Sequence, residues 1–284
     1  MERGGEGSSK STLPGAHRVA PDWLALRRAA DHRARQTTVP AVERISSWFR
    51  GRLGPDQAAC IIDLGAGTGS NQAWLAPRLT VPQQWFLLDH DAEILEGSSV
   101  ISAAQVVSTV RQVGTVDHLG EFPLSDVPTL VTCAALLDLL SAREVALIAE
   151  TIASSQASAL LSLTVTGEVH LTPEDPADEA IASAFNAHQR RGGLLGPGAA
   201  ETAAATLRER GVHVEIIQTD WVLDSAHPEF VRRYLSERAE AAVEQDPGLS
   251  QTVEAWMKRR TDQVQRGELA LRIGHQDVVC VPVL

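Results

Sequence analysis

Short apolar runs alternate with amphipathic stretches across the first half of the chain, a pattern that predicts parallel strands connected by helices. Helices are expected near Asn71–Arg78, Ala92–Glu96 and Ser141–Ser154. Strands and helices in this order favour an open, doubly wound α/β domain. The five predicted strands are Ala59–Leu64, Trp85–Asp89, a stretch near Val106–Val116 with poorly defined ends, Thr129–Cys133 and Ala159–Val165.

Beyond Thr166 the alternation loosens and helical patterns dominate. A polar, proline-containing connection is expected at Gly167–Pro176. A strand is predicted at Val212–Thr219, and a second one at Leu269–Val283, broken near Gly274. The predicted helices are Ala177–Arg191, Ala199–Arg210, Pro228–Gln245 and Leu249–Arg266.

The N-terminal part divides into two stretches. Residues 1–20 are rich in Gly and Ser and are expected to form a disordered tail, because this composition buries too little surface to offset the entropy of ordering. Two helices follow, one starting at Pro21 and one at about Pro40–Arg52, before Gly54 and Pro55 interrupt the chain.

Charge restricts the possible partners. The 284 residues include 25 Lys and Arg against 36 Asp and Glu, a formal charge of −11, so nucleic acid is not an expected partner. The sequence has no apolar run of the roughly 18 residues that a membrane helix needs, and residues 1–20 lack the apolar core of a signal peptide. We expect a cytoplasmic protein with no membrane partner.

Three cysteines, Cys60, Cys133 and Cys280, lie within runs of Val, Leu, Ile or Ala. Their spacing matches neither a metal-binding knuckle nor a disulfide framework. They are therefore expected to be small buried hydrophobic residues in strands, and no metal is expected.

A glycine-rich turn follows the first predicted strand. Its glycines are spaced G-x-G-x-G at Gly65, Gly67 and Gly69, whereas a dinucleotide loop has G-x-G-x-x-G; Ser70 holds the position of that third glycine. Asp63 stands two residues before the first glycine, where a carboxylate would not help to bind a pyrophosphate. This carboxylate could orient the loop or meet an ammonium group, so the ligand is expected to have a cationic end.

A second carboxylate, Asp89, ends the next predicted strand. One carboxylate at the C-terminal end of a strand binds the two hydroxyls of a ribose well. Together the loop and both acids describe a nucleoside with an amino-acid tail. Over about Ala59–Thr166 the sequence resembles the class I S-adenosylmethionine-dependent methyltransferases, whose first motif is an acid followed by G-x-G-x-G and whose second motif is the acid that ends the next strand.

This resemblance implies a Rossmann-like, seven-stranded sheet with an antiparallel last strand, with Val212–Thr219 and Leu269–Val283 as strands six and seven. It also implies a helical cap over the C-terminal edge of the sheet, where open α/β folds bind ligands. We expect residues 21–56 to contribute cap helices and residues 57–284 to form the methyltransferase domain, with cap insertions at about 167–197 and 220–268.

The resemblance further implies a cofactor site for S-adenosylmethionine, with S-adenosylhomocysteine as product. Asp117 with His118 is the best match for the adenine contact, although these residues could instead form a solvated loop. Arg35, together with Arg33, could close over the methionine carboxylate or lie on an exposed charged face. The remaining implied contacts are Asp63, Gly65, Ala66, Gly67 and Gly69 around methionine, Asp89 with His90 beside it at the ribose, and Cys133 and Ala134 beside the sulfonium.

The segment after the fourth predicted strand bears on the acceptor. It lacks the Asn/Asp-Pro-Pro-aromatic pattern of enzymes that methylate amide nitrogens or the exocyclic nitrogens of bases. The resemblance therefore favours methylation of oxygen or carbon, and less so nitrogen, of a small molecule. Two alternatives remain open, a catalytically silent binding or scaffold protein with the same fold and a nicotinamide-dependent oxidoreductase; the chain could be a monomer or a homodimer.

Methyl transfer needs alignment, and a base where the nucleophile carries a proton. His188 is the first candidate base, His275 the second and Asp138 the third, while a structural role for His275 and helix capping by Asp138 remain alternatives. Trp221 and Trp256 could line the substrate pocket or pack in the core. The polar helix around His188 supplies the other substrate candidates, which could instead lie on a solvated face: Phe185, Asn186, Gln189 and Arg190.

Overall fold

The computed structural model describes residues 21–98, 103–122, 124 and 126–282. The predicted tail at residues 1–20 and the last predicted strand residue, Val283, lie outside the described residues. The strands are β1 Ala59–Leu64, β2 Gln83–Asp89, β3 Val106–Val113, β4 Thr129–Ala134, β5 Ser158–Thr172, β6 Glu215–Gln218, β7 Trp221–Leu223 and β8 Ala270–Cys280. The α-helices are α1 Pro21–Ala34, α2 Val39–Arg50, α3 Ser70–Leu75, α4 Ala92–Glu96, α5 Ala142–Ser155, α6 Asp178–His188, α7 Ala199–Glu209, α8 Pro228–Gln245 and α9 Ser250–Arg266.

The strands form one mixed sheet in the order β3-β2-β1-β4-β5-β8-β6. Strands β1 to β5 pair in parallel, and β8 is antiparallel to both β5 and β6. This path confirms the expected Rossmann-like arrangement of seven strands with an antiparallel last strand. The short strand β7, which the sequence did not predict, adds to β8 outside this path.

Strand β5 is longer than predicted. It continues to Thr172 and pairs with β8 down to Ala270, so the first half of the predicted connection Gly167–Pro176 belongs to the strand. The predicted break of β8 near Gly274 is absent, because β8 is continuous there. The irregularity lies in β5, whose register shifts between Val165 and Val169 around Gly167, a glycine with φ of +80°.

Three apolar clusters hold the fold together. On one face of the sheet α5 and α7 pack through residues such as Ile148 and Leu207, and on the other face α2 packs through Trp48. The third cluster, which includes Trp256, joins α1, α6, α8 and α9 to β7 and to the outer halves of β5 and β8. These helices therefore stand over one edge of the sheet rather than on its faces.

The cysteines are buried and unpaired, as the sequence predicts. Burial raises the pKa of Cys60 to about 11 and that of Cys280 to about 12, so both remain thiols at neutral pH. In the part of the chain that the structure describes, no helix is both long and apolar enough to cross a bilayer.

Candidate active site

A cavity of about 350 Å³ opens at the carboxyl ends of β1, β2 and β4. The glycine loop forms its floor, α1 lies across one side, and α6 with α8 forms the other side. Open α/β sheets bind ligands at this edge. Its volume lies in the range of small-molecule sites, roughly 300 to 1,000 Å³.

The glycine loop depends on backbone geometry that L-residues rarely adopt. Gly65, Gly67 and Gly69 have φ of +61°, +52° and +79°. The loop is tied to β2, since the N–H of Ala66 donates to the carbonyl of Leu88 at 3.1 Å. The N–H of Gly67 donates to Oδ2 of Asp89 at 2.8 Å.

Asp89 itself lines the cavity. Its Oδ1 accepts from the N–H of Asp91 at 2.9 Å, and Nδ1 of His90 lies 3.3 Å from the same oxygen. These contacts fix the carboxylate at the mouth of the loop, and His90, Asp91 and Ile94 continue the wall.

Asp63 lies fully buried beneath the loop and does not itself line the cavity. Nδ2 of Asn71 donates to its Oδ1 at 2.6 Å, and its Oδ2 has no hydrogen-bond partner. Burial raises the pKa of Asp63 to about 7, while Asn71 and Arg35 oppose that rise. A cation beside this carboxylate would favour its ionised form.

Arg35 supplies the opposite charge at the same end of the cavity. Its side chain is 1% exposed, lines the cavity and lies over Trp74, with 3.9 Å between Cζ and the ring centroid. Nε and Nη2 have no hydrogen-bond partner. Arg35 therefore does not lie on an exposed face of α1 or the turn after it. Arg33 is exposed, and its Nη2 lies 2.7 Å from Nε2 of His227 at the surface.

The segment that follows β4 forms part of the cavity wall. Ala134, Ala135, Leu136 and Asp138 line the cavity, whereas the predicted contact Cys133 points into the apolar core beneath it. Burial raises the pKa of Asp138, and its Oδ1 has no partner. Asp138 does not cap α5, because Ser141 does so: its hydroxyl accepts from the N–H of Glu144 at 3.3 Å.

His275 lines the cavity beside Trp221, with 4.5 Å between the two ring centroids. Its Nδ1 lies 3.0 Å from the carbonyl oxygen of Ile273, which places the proton on Nδ1 and leaves the lone pair on Nε2. Burial lowers the pKa of His275 to about 4, so the ring is neutral at pH 7. Nε1 of Trp221 donates to Asp31 on α1 at 3.0 Å.

Helices α6 and α8 form the side of the cavity opposite the glycine loop. Phe185 and Asn186 of α6, and Gln189 directly after it, line the cavity; their contact with a substrate stays a prediction. Three residues of α8 line it as well and were not predicted: Tyr234, Glu237 and Arg238.

Other predicted site residues lie outside the cavity. His188 points along α6 towards the end of α8, where its Nε2 lies 3.2 Å from Oε2 of Glu244. Arg190 is exposed, and its Nη1 donates to the carbonyl of Asn186 at 3.3 Å. Trp256 packs in the cap core, where its Nε1 donates to Oδ1 of Asp178 at 2.7 Å. None of these three is a suitable substrate contact.

The predicted adenine contacts also fall outside. Nη2 of Arg143 lies 3.0 Å from Oδ1 of Asp117 at the surface. Nδ1 of His118 accepts a hydrogen bond from the N–H of Thr115 at 3.1 Å and so helps to cap the short 3-10 helix that starts at Val116. Neither residue lines the cavity.

The sequence pattern of α8 contained a signal for Tyr234 and Arg238, but the signal was ambiguous. Val231, Leu235 and Ala239 form an apolar stripe along α8, and Tyr234 and Arg238 are the polar residues that lie four positions apart on its buried side. From the sequence alone, a charged residue on the buried side of a helix could form an ion pair in the core or line a binding site, and only the element that packs against it distinguishes the two. The described residues contain no group of three or more His, Cys, Asp or Glu side chains that could hold a metal ion.

Solved structures share this fold. A cyclopropane-fatty-acyl-phospholipid synthase-like protein from Lactobacillus casei is 14% identical with a TM-score of 0.51, and the match covers 90% of this chain and 92% of that one. A methyltransferase from Thiobacillus denitrificans solved with S-adenosylhomocysteine is 19% identical, with coverage of 92% and 99% and a TM-score of 0.41. The cyclopropane synthase MmaA2 from Mycobacterium tuberculosis is 13% identical, with coverage of 84% and 83% and a TM-score of 0.41.

At such identities the likeness to the Lactobacillus casei protein shows the fold alone. No protein-family model and no curated protein matches the sequence.

Proposed function

We propose that this chain is an S-adenosylmethionine-dependent methyltransferase acting on a small molecule. The observation that carries the proposal is a pair of buried, incompletely partnered opposite charges beside the glycine loop, the Oδ2 of Asp63 and the guanidinium of Arg35. An α-amino acid end carries an ammonium and a carboxylate, which complement these two groups. Polar groups buried without partners are costly, and a ligand that supplies the partners removes that cost.

The residues present fit this cofactor. Asp63, buried behind the cavity wall, would attract the ammonium through its charge or through water, Arg35 would bind the carboxylate, and Asp89 would accept hydrogen bonds from the ribose hydroxyls. The positive φ at Gly65 and Gly67 brings the backbone close to the ligand. Ile94 offers an apolar surface next to Asp89 for the base.

The loop is poorly suited to a nicotinamide dinucleotide. A pyrophosphate needs free amide donors, yet the N–H groups of Ala66 and Gly67 already donate to Leu88 and Asp89. The carboxylate of Asp63 beneath the loop would repel the phosphates. Both features argue against the oxidoreductase alternative.

When bound, S-adenosylmethionine supplies an electrophilic methyl group on a sulfonium. The chain's own contribution is to align the acceptor and remove its proton. His275 is neutral, with the lone pair on Nε2, so it can accept a hydrogen bond from the hydroxyl or amine of the acceptor, although its pKa of about 4 makes it a weaker base than a free imidazole. Asp138, whose pKa is raised by burial, is the second base in the same cavity.

Helices α1, α6 and α8 line the cavity above the sheet edge. We assign this cap to residues 21–56 and to the insertions 167–197 and 220–268. Apolar groups such as Trp221, Phe185 and Leu136 exclude water from the reacting atoms. A cavity of about 350 Å³ suits a small acceptor rather than a polymer.

Isothermal titration calorimetry with S-adenosylhomocysteine tests the cofactor assignment. We expect the protein to bind this ligand and not NADH, and Asp89→Ala to weaken binding by about tenfold or more, because charge-assisted hydrogen bonds are lost. Asp117→Ala is the matched control and should bind as the wild type does, since Asp117 pairs with Arg143 at the surface.

Transfer of a labelled methyl group to small molecules of a metabolite extract tests the activity. A protein that binds S-adenosylhomocysteine without transferring methyl groups would favour the silent alternative. Failure to bind S-adenosylhomocysteine at all would overturn the proposal.

A further inference from the structure

Arg238 places a second buried cation in the cavity. It lies on α8, is 3% exposed and lines the cavity wall. Its Nη1 donates to the hydroxyl of Tyr234 at 2.9 Å, whereas its Nη2 is buried without any hydrogen-bond partner. The cofactor assignments above make no use of this group.

Aromatic rings fix the orientation of this guanidinium. Cζ of Arg238 lies 4.5 Å from the ring centroid of Phe185 on α6 and 5.8 Å from that of Tyr234. Rings packed on a guanidinium leave its edge as the direction for hydrogen bonds. The free edge of Arg238 is therefore a preformed donor between α6 and α8.

The surrounding charges leave this cation uncompensated. Among the described residues, no carboxylate forms an ion pair with Arg238. Glu237 and Glu168 also line the cavity, but Glu237 accepts from Nε of Arg233 at 2.8 Å, and Glu168 is exposed to solvent. Arg27, another cation of the cavity wall, already donates to Asp31 at 2.9 Å. A buried charge of this kind needs an anion, and the cavity is where one could enter.

Two amide oxygens lie on the same wall. Nδ2 of Asn186 donates to the carbonyl of Gly167 at 3.1 Å, which fixes the amide and presents Oδ1 as an acceptor without a partner. Oε1 of Gln189, the residue that follows α6, is also buried without a partner. These oxygens would accept hydrogen bonds from a hydroxyl or an amine.

We infer that the methyl acceptor is a small carboxylic acid, whose carboxylate binds Arg238 and whose hydroxyl or amine groups face Asn186 and Gln189. The inference rests on the proposed function and adds the chemical class of its substrate. A single guanidinium balances one negative charge, which favours a carboxylate over a doubly charged phosphate. Arg238 is accordingly a specificity residue for the acceptor, separate from Arg35 at the glycine loop.

Matched pairs of acids and amides test this inference on the full-length protein saturated with S-adenosylhomocysteine. The probes are hydroxybenzoates, aminobenzoates and aliphatic hydroxy acids, each compared with its own carboxamide in thermal-shift and calorimetric titrations. We expect at least one acid to raise Tm and its carboxamide not to do so. Arg238→Met should weaken binding of that acid by about 10- to 100-fold, the value of a hydrogen bond to a charged group.

Arg232→Met is the matched control, because Arg232 is an exposed arginine of the same helix; it should bind the acid as the wild type does. If Arg238→Met does not fold, Arg238→Lys keeps the charge without the planar fork and should still weaken acid binding measurably. The inference is overturned if no acid binds the S-adenosylhomocysteine complex, if carboxamides bind equally well, or if a folded Arg238 variant retains full affinity. Binding of S-adenosylhomocysteine is measured first, so its absence would identify failure of the proposed function instead.

Discussion

Oδ1 of Asp277 accepts a hydrogen bond from the backbone N–H of Leu163 at 2.8 Å, and so fixes a cavity-lining residue of β5 to β8. The same buried carboxylate accepts from the hydroxyl of Thr38 at 2.7 Å and from that of Thr219 at 3.0 Å. One side chain thus joins the segment before α2, the cavity wall and the turn between β6 and β7.

We expect Asp277→Ala to lower the free energy of unfolding by roughly 3 kcal/mol or more, because three donors lose their acceptor in a buried site. Urea denaturation followed by circular dichroism measures this change. Asp262→Ala, at an exposed position of α9, is the control and should change stability by less than about 0.5 kcal/mol. Equal effects of the two substitutions would show that the Asp277 contacts contribute little.

Arg35→Met should weaken binding of S-adenosylhomocysteine by about 10- to 100-fold, because the carboxylate of the ligand loses its charged partner. Calorimetric titration measures the loss. Arg33→Met, on the same helix but at the surface beside His227, should leave the affinity unchanged. Unchanged affinity in Arg35→Met would remove this arginine from the cofactor site.

His275→Gln should lower kcat by about 10²-fold or more while leaving S-adenosylhomocysteine affinity unchanged, if His275 is the base. Because burial lowers the pKa of His275 to about 4, protonation of this ring should not reduce wild-type turnover between pH 8 and pH 5.5. Single-turnover assays across this range, run beside Asp138→Asn, distinguish the two bases. A loss in Asp138→Asn alone would transfer the role to Asp138.

His188→Ala tests the correction of the sequence-based prediction. His188 pairs with Glu244 outside the cavity, so we expect turnover to remain within about twofold of wild type. Steady-state assays with the acceptor identified in the screen measure this. A hundredfold loss would return His188 to the list of catalytic residues.

The sequence predicted best the elements whose pattern is local. The bounds of β1 and α4 agree with prediction at both ends, since β1 is buried along its whole length and Asp91 caps α4 by accepting from Glu93 and Ile94. Strand β7 has three residues, too few for a periodic signal. The outer half of β5 contains Gly167 and polar residues, and only its pairing with β8 makes it a strand.

The same contrast holds within the site. The glycine loop and Asp89 are close in sequence and follow a known motif, whereas the acceptor side combines α1, α6, β7 and α8, which meet only through tertiary packing. Helical phase explains one error: Phe185 and Gln189, four residues apart, face the cavity, and His188 is rotated towards Glu244. Arg238 could not be assigned until α8 was known to pack on α6.

Asp63 links pH, stability and ligand binding. Burial raises its pKa from 3.8 to about 7, so the native state holds this proton more tightly than the unfolded chain does. The resulting stabilisation is complete below about pH 4 and is lost as the pH rises through 7. Asp63→Asn keeps an acceptor for Asn71 and removes the titration.

In the absence of ligand, we therefore expect the stability of Asp63→Asn relative to wild type to be higher at pH 8 than at pH 5, as measured by urea denaturation at both values. The affinity of Asp63→Asn for S-adenosylhomocysteine, relative to wild type, should be lower at pH 8 than at pH 5. At pH 8 the wild type presents a carboxylate, which attracts the ammonium group of the ligand more than the neutral amide does. A stability difference that is the same at both pH values would mean that the buried carboxyl does not titrate in this range, and that Arg35 and Asn71 already hold it ionised.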